Sequence, residues 1–433
     1  MSELGLIAGI GLLVFLALRG MNLLIAAPLC ALLVALFAGI NVFPDDGGES
    51  FVTSYMSGFA GFVTDWYLMF LLGALFGKVM EDCGAAEAVS KWVTDRFGAQ
   101  RALLATVAAC AILTYGGVSL FVVAFSVFPM ALALFKQANL PRRFLPATIA
   151  FGSVTFTMTS AGSPEIQNWI PIQYLGTTPY AGWQVSLVVA IFMASVGYWW
   201  LKRMVGRAVA NGECFENRAS DPETHDKALP NPLVSMLPLA VVLVSSLVLH
   251  DALGKWALLV ALLSGIAAAV ILNWRYFLTP AKAIEEGTLG SLLAIGNTAA
   301  VVGFGAVAKT SPAFAVAVEM MTAVPGSALI GAAIAVTTIA ALTGSASGGQ
   351  SIALPILAPV YLDQGVDPEQ LHRVVAISSG ALDTLPHNGY VVTTIRAICG
   401  ETHQAAYGPM AALTLVVPLV GMALAILLFV TVG

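Results

Sequence analysis

Few residues in this chain could do chemistry, and they cluster. Asp383 and His387 stand four apart around Pro386, in Asp383-Thr384-Leu385-Pro386-His387-Asn388-Gly389-Tyr390, between apolar Ala376–Leu382 and apolar Val391–Ile398. Glu165 closes a similar interruption, Thr159-Ser160-Ala161-Gly162-Ser163-Pro164-Glu165, between Phe144–Met158 and Ile166–Leu175. A histidine beside a carboxylate can titrate near neutral pH and pass a proton. The same pair can instead merely fix the backbone around it. Asn388 and Asn168 offer amides for a substrate hydroxyl or carboxylate, and Asn168 could equally cap helix backbone.

Two more polar clusters sit between apolar runs, Thr114-Tyr115-Gly116-Gly117-Val118-Ser119 and Thr343-Gly344-Ser345-Ala346-Ser347-Gly348-Gly349-Gln350. Glycines at 116, 117, 348 and 349, and Gly162 at the first interruption, let backbone N–H groups approach a ligand closely. The hydroxyls of Thr114, Ser119, Ser160, Ser163, Thr343, Ser345, Ser347 and Thr384 add donors. Such groups suit a small anion at a helix N-terminus. We expect the tips and Ser160–Ser163 to hold a carboxylate, Asn388 and Thr384 to read a hydroxyl, and Asp383 or His387, with Glu165 at the matching break, to couple an ion. No nucleophile with a base and oxyanion donors is evident, and neither Gly-Gly pair has the lysine or strand context of a phosphate loop. The five cysteines are scattered without metal spacing and read as core residues. We therefore expect no cofactor and no enzyme.

Composition says what must position these groups. Of 433 residues, 58% are hydrophobic and 10% charged, with a mean hydropathy of +0.88. Soluble domains carry about 25% charged residues, so the chain points to a multi-pass membrane protein. A net charge of −5 argues against a nucleic-acid partner. Apolar runs Leu4–Leu18, Leu23–Ile40, Trp66–Val79, Val185–Leu201 and their later counterparts read as spans, whereas Lys78–Arg101 reads as an interfacial amphipathic helix. Ala102–Leu113 would reach only about 18 Å, too short for a hydrocarbon core of about 30 Å. It and Leu120–Phe135 are expected to form a re-entrant hairpin. Non-helical backbone at that depth needs cover from protein or a watery cavity.

The order of elements recurs. Phe76-Gly77 reappears as Phe304-Gly305, 228 positions on, Leu113-Thr114 as Leu342-Thr343 at 229, and Pro129 as Pro355 at 226. The expected fold is all-α, with two inverted repeats, each holding a hairpin and a broken helix. Residues 1–205 form the first repeat (scaffold 1–101, transport part 102–205). A cytoplasmic linker spans 206–232, and 233–433 form the second repeat (scaffold 233–325, transport part 326–433). With ten spans, both termini outside and the linker inside, sixteen of nineteen Lys and Arg fall on the cytoplasmic side. Lys255, Lys309 and Arg373 are the exceptions. Residues 51–63 and 280–290 are where an extra span could hide. His387 is placed in the membrane, and His225, His250, His372 and His403 in loops or at ends. Glu319 reads as interfacial. Inverted repeats with broken helices are the architecture of secondary transporters.

Ser378-Ser379-Gly380-Ala381-Leu382 followed by the Asp383–Tyr390 segment, then Cys399-Gly400-Glu401-Thr402-His403 and Ala406-Tyr407, resembles the gluconate permease family of the ion transporter superfamily. The closest likeness is to its short-chain hydroxy-acid branch, which includes D-3-hydroxybutyrate permeases. The resemblance spans the chain and is most specific over Thr343–Tyr407. It implies a homodimeric elevator transporter in a bacterial inner membrane. It also implies cation-coupled uptake, usually with protons, of small carboxylates. Sugar-acid members carry a different pattern at the second break, so the Leu385–Gly389 form favours a smaller acid such as 3-hydroxybutyrate. A gluconate or sugar-acid symporter and a sodium-coupled di- or tricarboxylate carrier remain alternatives.

Overall fold

The computed structural model of the chain describes residues 2–19, 21–44, 49–97, 101–118, 120–217, 228–253, 256–314, 316, 327–386 and 388–432. Asp45, Asp46, Ser119, Lys255, Glu319, His387 and the polar stretch 218–227 with His225 lie outside them. Among the described residues every regular element is helical. Six helices are long and apolar enough to cross a membrane. Their outer faces carry large apolar side chains: Ile271 is 71% and Val248 68% exposed. Water would penalise such a surface, and lipid does not.

Helices α1 (Ser2–Leu18), α2 (Leu23–Ala38) and α3 (Phe51–Asp82) open the chain. Asn22 caps α2 by accepting from Leu24 N, and Gly39 ends it at φ 71. Ser50 starts α3 through a capping box: its Oγ accepts from Thr53 N at 3.2 Å while Thr53 Oγ1 accepts from Ser50 N at 2.9 Å. Residues 51–63 therefore belong to one 32-residue helix. Its length is about 48 Å, so it tilts or projects from the bilayer. Residues 280–290 are likewise the start of the 30-residue helix Pro280–Lys309, so neither stretch hides another span. The interfacial helix is shorter than expected, Ala85–Phe97 (α4). Lys78 instead lies in the last turns of α3, paired with Glu81 at 3.0 Å and Glu286 at 3.1 Å.

Then come α5 (Ala102–Tyr115), α6 (Leu120–Gln137), the short α7 (Leu145–Ala150) and α8 (Ile170–Leu175) that flank the first interruption, and α9 (Trp183–Ala210). After the linker follow α10 (Pro232–Leu253), α11 (Ala257–Asn273) and α12 (Pro280–Lys309). The last part holds α13 (Ala328–Thr343), α14 (Ala346–Asp363), α15 (Pro368–Ser379), α16 (Gly389–Val392), α17 (His403–Ala411) and α18 (Val417–Val432).

Helices α1, α2, α3 and α12 share an apolar cluster that includes Ala27, Val34, Tyr55 and Phe304. Small residues set the spacing there. A Cβ on Gly58 would fall 2.5 Å from Ala306 Cβ, so glycine lets the backbones of α3 and α12 come close. Tyr55 OH, on the same face, donates to Ala300 O at 3.1 Å. α11 packs on α3 and pairs with α10. The hairpins α5–α6 and α13–α14, the broken helices, α9 and α18 share the larger core with Phe151, Trp169, Leu413 and Phe429. Contact between the two groups rests again on glycine. Gly77 of α3 faces Val122 of α6, and Gly305 of α12 faces Ile352 of α14.

Candidate functional site

At the first break α7 widens into a π-helical turn, Phe151–Thr155, and the chain then bends irregularly until a 3-10 turn at Ile166–Asn168. Irregular backbone leaves carbonyls that need donors. Asn168, fully buried, supplies one set: its Nδ2 donates to Met158 O at 3.1 Å, Ser160 O at 3.0 Å and Ser163 O at 3.3 Å. Arg373 of α15 supplies another. Its Nη1 donates to Thr159 O at 2.6 Å and Asn168 Oδ1 at 2.7 Å, its Nε to Ala181 O at 2.9 Å, and its Nη2 to Pro179 O at 3.1 Å.

This corrects two placements. His372 lies within α15 rather than in a loop or at an end, and Arg373, counted among the charges off the cytoplasmic side, is buried next to it; both are 0% exposed. His372 Nδ1 shares a 2.6 Å hydrogen bond with Thr177 Oγ1. A basic residue normally marks a membrane edge, but here the protein interior offers a ring of carbonyls that takes the charge inward.

The second break has a parallel construction. Asn388 Oδ1 caps α16 by accepting from Val391 N at 3.0 Å. Its Nδ2 donates to Asp383 O at 3.0 Å and, across the turn, to Gly344 O at 2.9 Å. Gly344 itself ends α13 at φ 59, a left-handed conformation natural to glycine. Ser345 starts α14 by accepting from Gly348 N at 3.1 Å. The second tip is thus a two-residue turn, and Ser347, Gly348, Gly349 and Gln350 lie inside the first turns of α14.

Each tip is fastened to its own break. Tyr115 OH, at the end of α5, donates to Ala161 O at 2.6 Å. Gly117, at φ 92, leaves only 3.1 Å between a would-be Cβ and Pro164. The breaks also meet each other: a Cβ on Gly380 would fall 3.0 Å from Thr159 Cγ2. Gln350, 0% exposed, ties the second hairpin across, donating from Nε2 to Gln167 O at 3.0 Å and Ser379 Oγ at 2.9 Å. One connected polar chain therefore runs through both tips and both breaks.

Several of the expected site residues are committed to partners within the protein. Asn168, Asn388 and Thr384 have their side-chain donors committed to protein; Thr384 Oγ1 donates to Thr414 O at 3.0 Å. Ser160 Oγ donates to Phe156 O at 2.6 Å, and Ser163 Oγ accepts from Glu165 N at 3.4 Å. Gly116 serves packing, since a Cβ there would meet Leu239 at 2.8 Å, and Gly349 lies 2.7 Å, by the same measure, from Ala340 Cα. Gly162, at φ 82, turns the chain beneath Tyr115 and Tyr180. Buried Asp383 Oδ1, Thr114 Oγ1, Gln350 Oε1, Gln167 Oε1 and Ser378 Oγ have no hydrogen-bond partner among the described residues. Glu165 is half-buried and precedes the 3-10 turn. Thr343 is the last residue of α13.

Arg373, Gln350, Gln167 and Tyr115 were not among the expected site residues. Gln350 and Tyr115 at least fall within the polar tips, and Arg373 directly precedes the apolar run Val374–Ile377. Beside the first tip lies a largely apolar crevice of about 760 Å³, walled by α5, the first break, α9 and α10, with Tyr115, Ser160 and Tyr180 at its polar points.

Similar proteins agree with this architecture. Residues 1–430 match the family described as GntP family permease. An uncharacterized transporter of Bacillus subtilis, YxjC, is 34% identical, with 95% of each chain aligned. An uncharacterized transporter of Haemophilus influenzae is 27% identical over 43% of this chain and 45% of its own. Among solved structures, the YdaH transporter of Alcanivorax borkumensis, described as having an unusual topology, superposes over 94% of this chain and 97% of its own, with a TM-score of 0.58 at 15% identity. That likeness concerns fold alone. The family match from end to end, together with the full-length Bacillus relative, makes this multi-pass chain a transporter rather than an enzyme, and it belongs to the GntP family of permeases.

Proposed function

We propose that this permease is a proton-coupled symporter that imports a small hydroxy-carboxylate, best represented by 3-hydroxybutyrate, across a bacterial inner membrane. The observation that carries the reading is Asp383. It is 5% exposed at the second break, and one carboxylate oxygen has no partner among the described residues. A buried ionisable group with no counter-ion among the described residues is suited to exchange its charge with a moving cation. Beside it, the N-terminus of α14, with Ser345 and Ser347, is tied to the same break through Gly344, and the partial positive charge of a helix start suits a carboxylate.

The matching Gly77–Val122 and Gly305–Ile352 contacts support two inverted repeats of one design. A scaffold of residues 1–101 and 233–325 would then carry a mobile body of 102–205 and 326–433 in an elevator cycle, within a homodimer. The test is uptake of labelled 3-hydroxybutyrate into proteoliposomes under an imposed pH gradient. Gradient-stimulated accumulation, competed by other short hydroxy acids more than by gluconate or citrate, is expected. A requirement for sodium would move the assignment to a sodium-coupled carrier. No stimulation by either gradient across a panel of carboxylates would sink the reading.

A further inference from the structure

The carbonyl end of an interrupted helix carries partial negative charge, and unwound carbonyls at such sites hold the coupling cation in transporters built this way. The two breaks of this chain differ in what faces those carbonyls. At the first, Arg373 donates to Thr159 O and, beyond α8, to Pro179 O and Ala181 O in the segment leading into α9, while Asn168 covers Met158 O, Ser160 O and Ser163 O. The guanidinium is 0% exposed, and all its acceptors are neutral oxygens. No ion pair among the described residues includes it. A buried guanidinium without a carboxylate is costly unless surrounding dipoles balance it, and here Thr159 O of the break, Asn168 Oδ1, Pro179 O and Ala181 O do so. At the second break the covering donors are neutral: Asn388 donates to Asp383 O and Gly344 O, and Tyr407 OH donates to Thr384 O at 3.2 Å. No lysine or arginine bonds to that break among the described residues, and it holds the carboxylate Asp383, with one oxygen open.

We propose that Arg373 is a tethered cation. It permanently fills, at the first break, the place a transported cation fills at the second, so that one coupling cation accompanies each carboxylate. This rests on the cation-coupled reading above. One cation with one monocarboxylate carries no net charge, so transport is electroneutral.

Two measurements test it. In wild-type proteoliposomes, a pH gradient with the membrane potential clamped at zero should drive 3-hydroxybutyrate accumulation. An inside-negative potential without an ion gradient should drive none. Accumulation driven by potential alone would mean a second moving charge and would overturn the proposal. The second measurement does not depend on coupling. Purified R373A should melt below wild type and regain stability in guanidinium kept well below denaturing strength, whereas wild type should not respond and R373K should need no rescue. A folded R373A indifferent to guanidinium, or a wild type stabilised equally, would also overturn it. If R373A does not fold, R373Q takes its place in the same comparison. Failure of every ion gradient to drive uptake, with guanidinium rescue intact, would refute the coupling reading and leave the tethered charge standing.

Discussion

Replacing Asn388 by alanine removes three hydrogen bonds at once, those to Val391 N, Asp383 O and Gly344 O. Loss of the helix cap costs about 1 kcal/mol. Each carbonyl left without a donor adds about 1–3 kcal/mol, since Asp383 and Gly344 are both buried. The combined loss is of order 3–7 kcal/mol, and it releases the second tip from the second break. Asn388→Asp sharpens the test. It keeps the oxygen that caps α16 but points a second oxygen, rather than an N–H donor, at two carbonyls. The nearly isosteric aspartate should therefore be at least as damaging as alanine. Thermal unfolding of the purified proteins in one detergent, beside 3-hydroxybutyrate uptake in proteoliposomes, reads both effects. An N388D protein with wild-type melting temperature and uptake would refute the role assigned to this amide.

Further expectations follow from other contacts. The buried pair Arg142–Glu401, at 3.3 Å with both side chains at most 5% exposed, joins the base of the first hairpin to the loop after the second broken helix. Glu401→Gln should lower stability by about 3–5 kcal/mol, because it strands a buried guanidinium. The double variant with Arg142→Met should recover much of that loss in a thermal-melt cycle. Gly349→Ala puts a methyl 2.7 Å from Ala340 Cα. It should cost about 1–3 kcal/mol by forcing the arms of the second hairpin apart, read as a fall in melting temperature. The bridge Arg143–Glu213, at 2.6 Å, holds the Glu213 carboxyl below the usual glutamate range through its hydrogen bonds. Its contribution is therefore complete above the ordinary glutamate pKa and is lost as pH falls through the lower folded value. Being partly exposed, it is worth no more than about 1 kcal/mol. Arg143→Gln should remove that part of the acid-side pH dependence of melting.

Much of this was legible in the sequence because lipid imposes a severe rule: polar backbone at depth must be paired. Glycine, proline and hydroxyl residues breaking apolar runs therefore gave away both hairpins and both interrupted helices. Periodicity could not separate a helix start from a loop at Ser347–Gln350, because a serine cap followed by two glycines reads as a turn. Charge counting misplaced Arg373, since nothing local tells an arginine at a membrane edge from one whose acceptors come from residues 159–181. Those partners lie about two hundred positions away in sequence. The asparagines were found for their amide chemistry, yet Asn168 and Asn388 spend that chemistry on their own breaks. The described groups left without a hydrogen-bond partner are instead the plainer ones at Thr114, Gln167, Gln350, Ser378 and Asp383.

The central claim is that Asp383 carries the coupling charge at the second break. Asp383→Asn keeps the shape and removes the charge. Purified, reconstituted D383N should still exchange external for internal labelled 3-hydroxybutyrate, while accumulation under a pH gradient falls to the equilibrated level. Gradient-driven accumulation by D383N equal to wild type would contradict the account.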